Sequence, residues 1–461
     1  MSGVSPSALR LPNFLSIPVS LAVTLLVAIG LTGCEATSNS MDTGARMVAD
    51  ANPGNEDFNP YGLYVQDGIL FMGGTTSESG GEVFAYDGTG VSLRADIDPG
   101  AGHSVPKDFF TFQGDLFFTA IREPFGRELF RVRDGVARRV TDLNEGPDSA
   151  RMDDFVVWND AVYFRADDGK SGIELWRFDG EDANLIADLN QGPGSSTPGN
   201  LVVYNGALYF TARHQEVGTE LWRFDGAVVE GVTDINPGPS SSLPQELAAT
   251  SHGLYFQAFE NTHGVELWRF DGTEATLALD INPGPEASNP RGLYVYNDAV
   301  YFAAEQPETG RELWVADADG VRLVAELRPG ADSANPSYLA SANGTLYFAA
   351  NDGVHGAELW KLDGGSPSMV ADIYEGPANG EPYQFIGYND RVYMIARTAE
   401  MGREVFVYDG TSVRVLHDVR PGESSSNPDE ITPIGDEICF VAVDPPTGRE
   451  LWWSSGMPAT K

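Results

Sequence analysis

Glutamate recurs in this sequence at one fixed spacing, and carboxylates can hold a metal, move a proton or brace a turn. The signature Gly-x-Glu-Leu-Trp places its Glu at Glu82, Glu128, Glu174, Glu220, Glu266, Glu312, Glu358, Glu404 and Glu450, always 46 residues apart. A second signature, Asp-Ile-x-Pro-Gly, begins at Asp50, Asp96, Asp142, Asp188, Asp234, Asp280, Glu326, Asp372 and Asp418 with the same step. Two rings of carboxylates suit Ca²⁺, a hard cation that prefers carboxylate and carbonyl oxygens. The competing use is structural: a carboxylate at a strand end accepts hydrogen bonds from the N–H groups of a Pro-Gly or Gly-x turn. The structural use is preferred, so no metal ligand is assigned and Ca²⁺ stays the alternative cofactor. Asp317-Ala318-Asp319-Gly320 begins like an EF-hand loop but lacks the downstream Glu.

Other reactive groups are sparse. His263 and His355 share a register three residues before their Glu, in non-adjacent units, and the other four histidines form no motif. A zinc site needs three or four converging ligands. Of two cysteines, Cys439 falls where other units carry Phe117, Tyr163 or Tyr209, so it is expected to be a buried strand residue. With 29 basic against 67 acidic residues and a net charge of -38, a nucleic-acid surface is excluded as a partner, because phosphate contacts need Lys and Arg.

The elements that position these groups follow from the repeat. A third landmark, Leu-Tyr-Phe-x-Ala, starts at Leu116, Val162, Leu208, Leu254, Val300, Leu346, Val392 and Ile438, again without insertion. Around Tyr296 one unit reads as strand a (292–296), an Asn297-Asp298 turn, strand b (299–304), a loop (305–310), strand c from Glu312, an Asp/Gly turn and strand d (321–327). No window holds a helical period, so the chain is all-β. Four strands in 46 residues is the size of a propeller blade. The repeat opens on a d-like strand (45–49) and closes on a c strand at Glu450-Leu451-Trp452, so the two termini complete one blade. This predicts a single closed ring of about nine four-stranded blades over residues 44–455, with eight blades and an irregular unit as the alternative.

The N-terminus stands apart. An apolar run from Leu11 to Leu31 ends in Leu31-Thr32-Gly33-Cys34, which resembles a bacterial lipobox. It implies a signal peptide (1–33), a lipid on Cys34, a polar tether (34–43) and membrane association through the anchor. Glu35 is not the Asp that marks inner-membrane retention, so the outer membrane of the cell envelope is expected. Residues 456–461 form a short tail.

The string Glu266-Leu267-Trp268-Arg269-Phe270-Asp271-Gly272-Thr273 is ELWxxDGT in full, and the chain resembles the bacterial ELWxxDGT-repeat proteins across about residues 44–455. The resemblance implies a repetitive exported protein and supplies no catalytic residues. On a propeller the b–c and d–a connections share one face, and here they are the longer ones. Binding is therefore expected there, with Arg213, His214, Ser241, Ser242, His263 and His355 as candidates. The function expected is a non-catalytic scaffold for a protein or glycan partner. The alternatives are a propeller enzyme of lyase, glycosidase or dehydrogenase type, and a Ca²⁺-dependent structural surface protein.

Overall fold

A computed structural model describes residues 45–53, 56–133 and 135–455. Cys34, the signal peptide, the tether and the 456–461 tail lie outside the described residues. The described chain forms nine four-stranded antiparallel sheets. They are blades 1 (61–95), 2 (107–139), 3 (153–187), 4 (199–231), 5 (245–279), 6 (291–325), 7 (337–371), 8 (383–417) and 9 (429–454, completed by Arg46–Met47). Every strand a neighbours strand a of the next blade, and strand a of blade 9 neighbours that of blade 1. The a strands thus form the inner wall of a closed ring of nine blades.

The turns explain the conserved strings. At the a–b turn of blade 6 both Asn297 and Asp298 have positive φ (50° and 60°), the geometry a two-residue hairpin demands. At the c–d turn of blade 5, Asp271 accepts hydrogen bonds from the N–H groups of Thr273 (2.8 Å) and Glu274 (3.0 Å). Asp409 caps its turn in the same way. The Asp-Gly-Thr string is an Asx-capped turn.

Blades are wedged together by strands b and c, which are buried on both faces. Leu313 packs with Leu346 and Phe348 of blade 7, while the adjacent Trp314 packs with Tyr255 and Leu267 of blade 5. Alternation along the strand sends successive side chains to opposite neighbours. Each fully buried Phe of strand b, such as Phe302 or Phe348, contributes about 1.5–3 kcal/mol by leaving water. The indole N–H groups of Trp176, Trp222 and Trp360 are held by carbonyls of their own blades.

Closure is the expected one, with a shorter strand. Only Arg46 and Met47 pair as a strand, with Trp453 and Trp452, because Asp50 already belongs to the next connection. Val48 N–H donates to the Leu451 carbonyl (2.8 Å), Arg449 N–H to Asp57 Oδ1 (2.7 Å) and Asn59 N–H to the Arg449 carbonyl (2.9 Å). Strand c also begins earlier than expected. In blade 6 it runs Gly310–Asp317, since Gly310 and Arg311 still pair with strand b.

Candidate functional site

The nine signature glutamates are fully buried, at 0% exposure. Each reaches from strand c into the following d–a connection. Glu266 accepts from Ile281 N–H (3.1 Å), Ser288 N–H (2.8 Å) and the Ser288 hydroxyl (2.5 Å). Glu404 accepts the equivalent three from Val419 and Ser426. Glu450, last in the sequence, accepts from Ala51 and Phe58 at the start of the fold, so the staple also closes the ring. Burial pushes all nine carboxyls above their ordinary range, against the donors' opposing pull. Glu312, Glu358, Glu404 and Glu450 are pushed up to about 7. The structural reading of these carboxylates therefore holds. Among the described residues no group of three or more His, Cys, Asp or Glu is placed to hold a metal.

The staples fix two rings of backbone around the channel mouth. The residue before the proline that opens strand a has positive φ in every unit, although none is glycine: Asn59, Val105, Arg151, Thr197, Leu243, Asn289, Asn335, Glu381 and Asn427. In blade 3's unit Met152 replaces that proline. In seven units the N–H of this residue is tied to the residue before a signature Glu, as in Leu243 to the Thr219 carbonyl (3.1 Å); before Arg151 and Asn427 the bond is made by Ala150 and Ser426. Three residues on, a β-bulge in each a–b pair places another positive-φ residue, among them Asp154, Glu246, Tyr338, Gln384 and Glu430. Such conformations cost about 1–3 kcal/mol each and persist only where the surroundings over-determine them. Several of these side chains reach the next blade: Asp154 accepts from Leu201 N–H (3.4 Å) and Glu246 from Leu293 N–H (2.9 Å). Glu430 does the same, accepting from Gly62 N–H (2.9 Å) and Leu63 N–H (2.7 Å).

Between blades 7, 8 and 9 this frame opens into a cavity of about 710 Å³ lined by Tyr338, Tyr383, Glu381, Arg403, Asp429 and Arg449 among others. The rings of Tyr338 and Tyr383 lie 5.9 Å apart at 48°. Tyr338 is 59% exposed, which leaves its ring free to contact a ligand. Glu381 bridges two guanidiniums, those of Arg397 (3.0 Å) and Arg403. Arg449 donates to the Asn427 carbonyl (3.2 Å) and lies 3.7 Å from Asp429, which also accepts from Gln384 (2.5 Å). Burial raises the Tyr383 phenol, with Arg403 opposing, so the hydroxyl is a neutral donor. The wall thus presents two tyrosines and two charge-paired guanidinium–carboxylate sets.

The candidates read from the sequence lie mostly elsewhere. Ser242 is fully buried and bonds Glu220 through its N–H (2.9 Å) and hydroxyl (2.7 Å), so it belongs to a staple and is removed from the binding set. Ser241 Oγ accepts from Thr219 N–H (2.8 Å) and also braces the connection. His263 caps its own turn through Glu260 (2.7 Å), and His355 does so through Asp352 (2.6 Å). His214 packs at 5.7 Å from Trp222 and accepts from Glu216 N–H. Arg213 stands exposed on the b–c side of blade 4. None of the six lines the cavity. The cavity residues carry no recurring signature, since their types vary from unit to unit.

Part of the chain, residues 162–373, matches the model of a family described as outer membrane protein assembly factor BamB. The match covers just under half of the chain and runs from blade 3 into the connection after blade 7. No curated protein matches the sequence. Among solved structures, puromycin hydrolase is 14% identical with a TM-score of 0.39, over 73% of this chain and 58% of that one. A puromycin-hydrolyzing peptidase of Mycobacterium tuberculosis is 13% identical with a TM-score of 0.41, over 87% of this chain and 61% of that one. The chain therefore spans less than two thirds of either structure. The propeller domain of the Trilobed protease from Pyrococcus furiosus is 13% identical with a TM-score of 0.35, over 68% of this chain and 95% of that domain.

Proposed function

We propose that this chain is a non-catalytic binding propeller of the bacterial cell envelope, anchored through lipid on Cys34, which takes a glycan in the cavity of blades 7–9. The observation that carries the reading is the pairing of Tyr338 and Tyr383 with the Arg403–Glu381 and Arg449–Asp429 sets. Tyrosine faces stack on the C–H faces of a sugar, while fixed guanidinium–carboxylate pairs offer donors and acceptors to neighbouring hydroxyls. Because the paired charges balance, the wall suits a neutral polar ligand. Nine staples hold this wall rigid, which lowers the ordering cost of binding. The partial match to an outer membrane assembly factor supports an envelope setting, as does Leu31-Thr32-Gly33-Cys34.

Titration calorimetry of the full chain against neutral hexose and N-acetylhexosamine oligomers tests the site. Saturable binding is expected, with Tyr383→Ala and Arg403→Ala each weakening it at least about tenfold, the scale of one lost anchor. Equal affinity in both variants sinks the assignment, and cleavage of the oligomers sinks its non-catalytic part. Labelled palmitate incorporation into the chain, lost in Cys34→Ala, tests the anchor.

A further inference from the structure

The strand c–d hairpin of blade 2 departs from the charge pairing seen in blades 3, 4, 6 and 8. Strand c of blade 2 is Arg127–Arg133 and strand d is Val136–Arg139. Arg131 pairs directly opposite Arg138, and Arg133 opposite Val136. Alternation puts Arg131, Arg133, Val136 and Arg138 on one face of the hairpin, where they line a concavity of about 300 Å³. Like charges directly opposite each other on antiparallel strands are destabilising.

At the same positions in blades 3, 4, 6 and 8 the cation has a carboxylate within its own hairpin, while Arg269 of blade 5 donates to the His252 carbonyl (2.7 Å). In blade 4 Arg223 faces Glu230 (2.5 Å). In blade 6 Arg322 binds Asp317 (2.6 Å), and in blade 8 Arg414 binds Asp409. Arg177 of blade 3 lies 3.3 Å from Asp179. In blade 2 the turn-capping Asp position holds Arg133, and the position of Glu230 holds Arg138. One carboxylate, Asp115, serves both Arg133 (2.5 Å) and Arg131 (4.0 Å). Glu181 of blade 3, 84% exposed, sits 4.0 Å from Arg131. Among the described residues Arg138 has no carboxylate partner. A hairpin so arranged is costly on its own account, and in a chain of net charge -38 it is an unexpected place for three converging guanidiniums.

We propose that this face of blade 2 is an anion site for a phosphate group, held by Arg131, Arg133 and Arg138. Guanidinium forks match phosphate oxygens bidentately, and three of them around one concavity distinguish phosphate from a single carboxylate. The c–d turn of blade 2 lies on the same face of the ring as Ala45, because Arg46 pairs with Trp453 near the end of strand c. A lipid headgroup and a free phosphate present the same chemistry to the three guanidiniums, and the test separates them.

The test uses the full chain carrying Cys34→Ala, so that no acyl group contributes. Two probes are used: inorganic phosphate by calorimetry, and vesicles of phosphatidylglycerol or phosphatidylcholine by co-sedimentation. Binding to phosphatidylglycerol over phosphatidylcholine, at least tenfold weaker in Arg133→Asp/Arg138→Glu, supports a headgroup as the source. Binding of inorganic phosphate alone, weakened equally by that variant, supports a free phosphate. The double substitution recreates the Arg223, Asp225 and Glu230 arrangement of blade 4, so it is expected to fold. No phosphate or phosphatidylglycerol binding by the parent chain overturns the proposal, as does binding unchanged in the variant.

Discussion

Blades 7–9 and the opposite arc of blades 3–5 share one backbone and differ in what they hang on it. Before the signature Glu, the first arc has Ala357, Arg403 and Arg449 where the second has Ile173, Thr219 and Val265. At the first position of strand a, Ser337, Tyr383 and Asp429 stand against Asp153, Gly199 and Gln245. The bulged position carries Tyr338, Gln384 and Glu430 against Asp154, Asn200 and Glu246, and all six have positive φ. The stapling glutamate is present and buried in both arcs. The difference teaches that the frame is constant, while the side chains it presents vary from arc to arc.

The largest effect should come from removing the part both arcs share. Glu404→Ala orphans the Val419 N–H and leaves the Ser426 N–H and hydroxyl only their longer bonds to the Arg403 carbonyl (3.3 and 3.4 Å), beside an emptied buried site. At about 1–3 kcal/mol per buried unsatisfied group, a loss of about 3 kcal/mol or more is expected in urea unfolding. Glu220→Ala in blade 4 should lose a similar amount. A much smaller loss in one arc would show that the frame is not uniform.

Acid should strengthen both arcs, because burial also raises the carboxyls of Glu174, Glu220 and Glu266 in blades 3–5. The carboxyls of Glu312, Glu358, Glu404 and Glu450 stand at about 7 in the folded chain, above their ordinary value of 4.5. A raised folded-state value means the native state binds more protons than the unfolded chain between those two values. Stability from this source is fully present below pH 4.5 and is lost as pH rises through about 7. Urea midpoints at pH 5 should exceed those at pH 8, and a flat profile would contradict the burial of these groups.

The smallest effects belong to the residues that separate turn-capping from binding. Thr219→Ala, at the place of Arg403 in the opposite arc, should leave oligosaccharide affinity unchanged within about twofold, well under the 1.4 kcal/mol of a tenfold change. His355→Ala and His263→Ala, which remove caps to Asp352 and Glu260, should change neither affinity nor the urea midpoint measurably. A loss of affinity in either would return the histidines to the binding surface.

The sequence by itself determined the all-β class, the nine units, the closing blade and the structural use of the glutamates. These depend on local chemistry repeated at one interval, and repetition makes each inference nine times over. It also fixed the face that carries the longer connections. Only the tertiary structure decided that Ser242 points inward to Glu220, that Tyr338 meets Tyr383 across two blades, and that Arg131 faces Arg138. The partners in the last two contacts lie in neighbouring units or on opposite strands of a hairpin, and their side chains vary from blade to blade, so no period marks them. Ser242 recurs as Ser104, Ser196, Ser288 and Ser426, but its partner Glu220 is 22 residues away and only folding brings the two together. The left-handed residues at the mouth, such as Leu243 and Tyr338, were equally hidden, because the staples and bulges that hold them there exist only once neighbouring blades have packed.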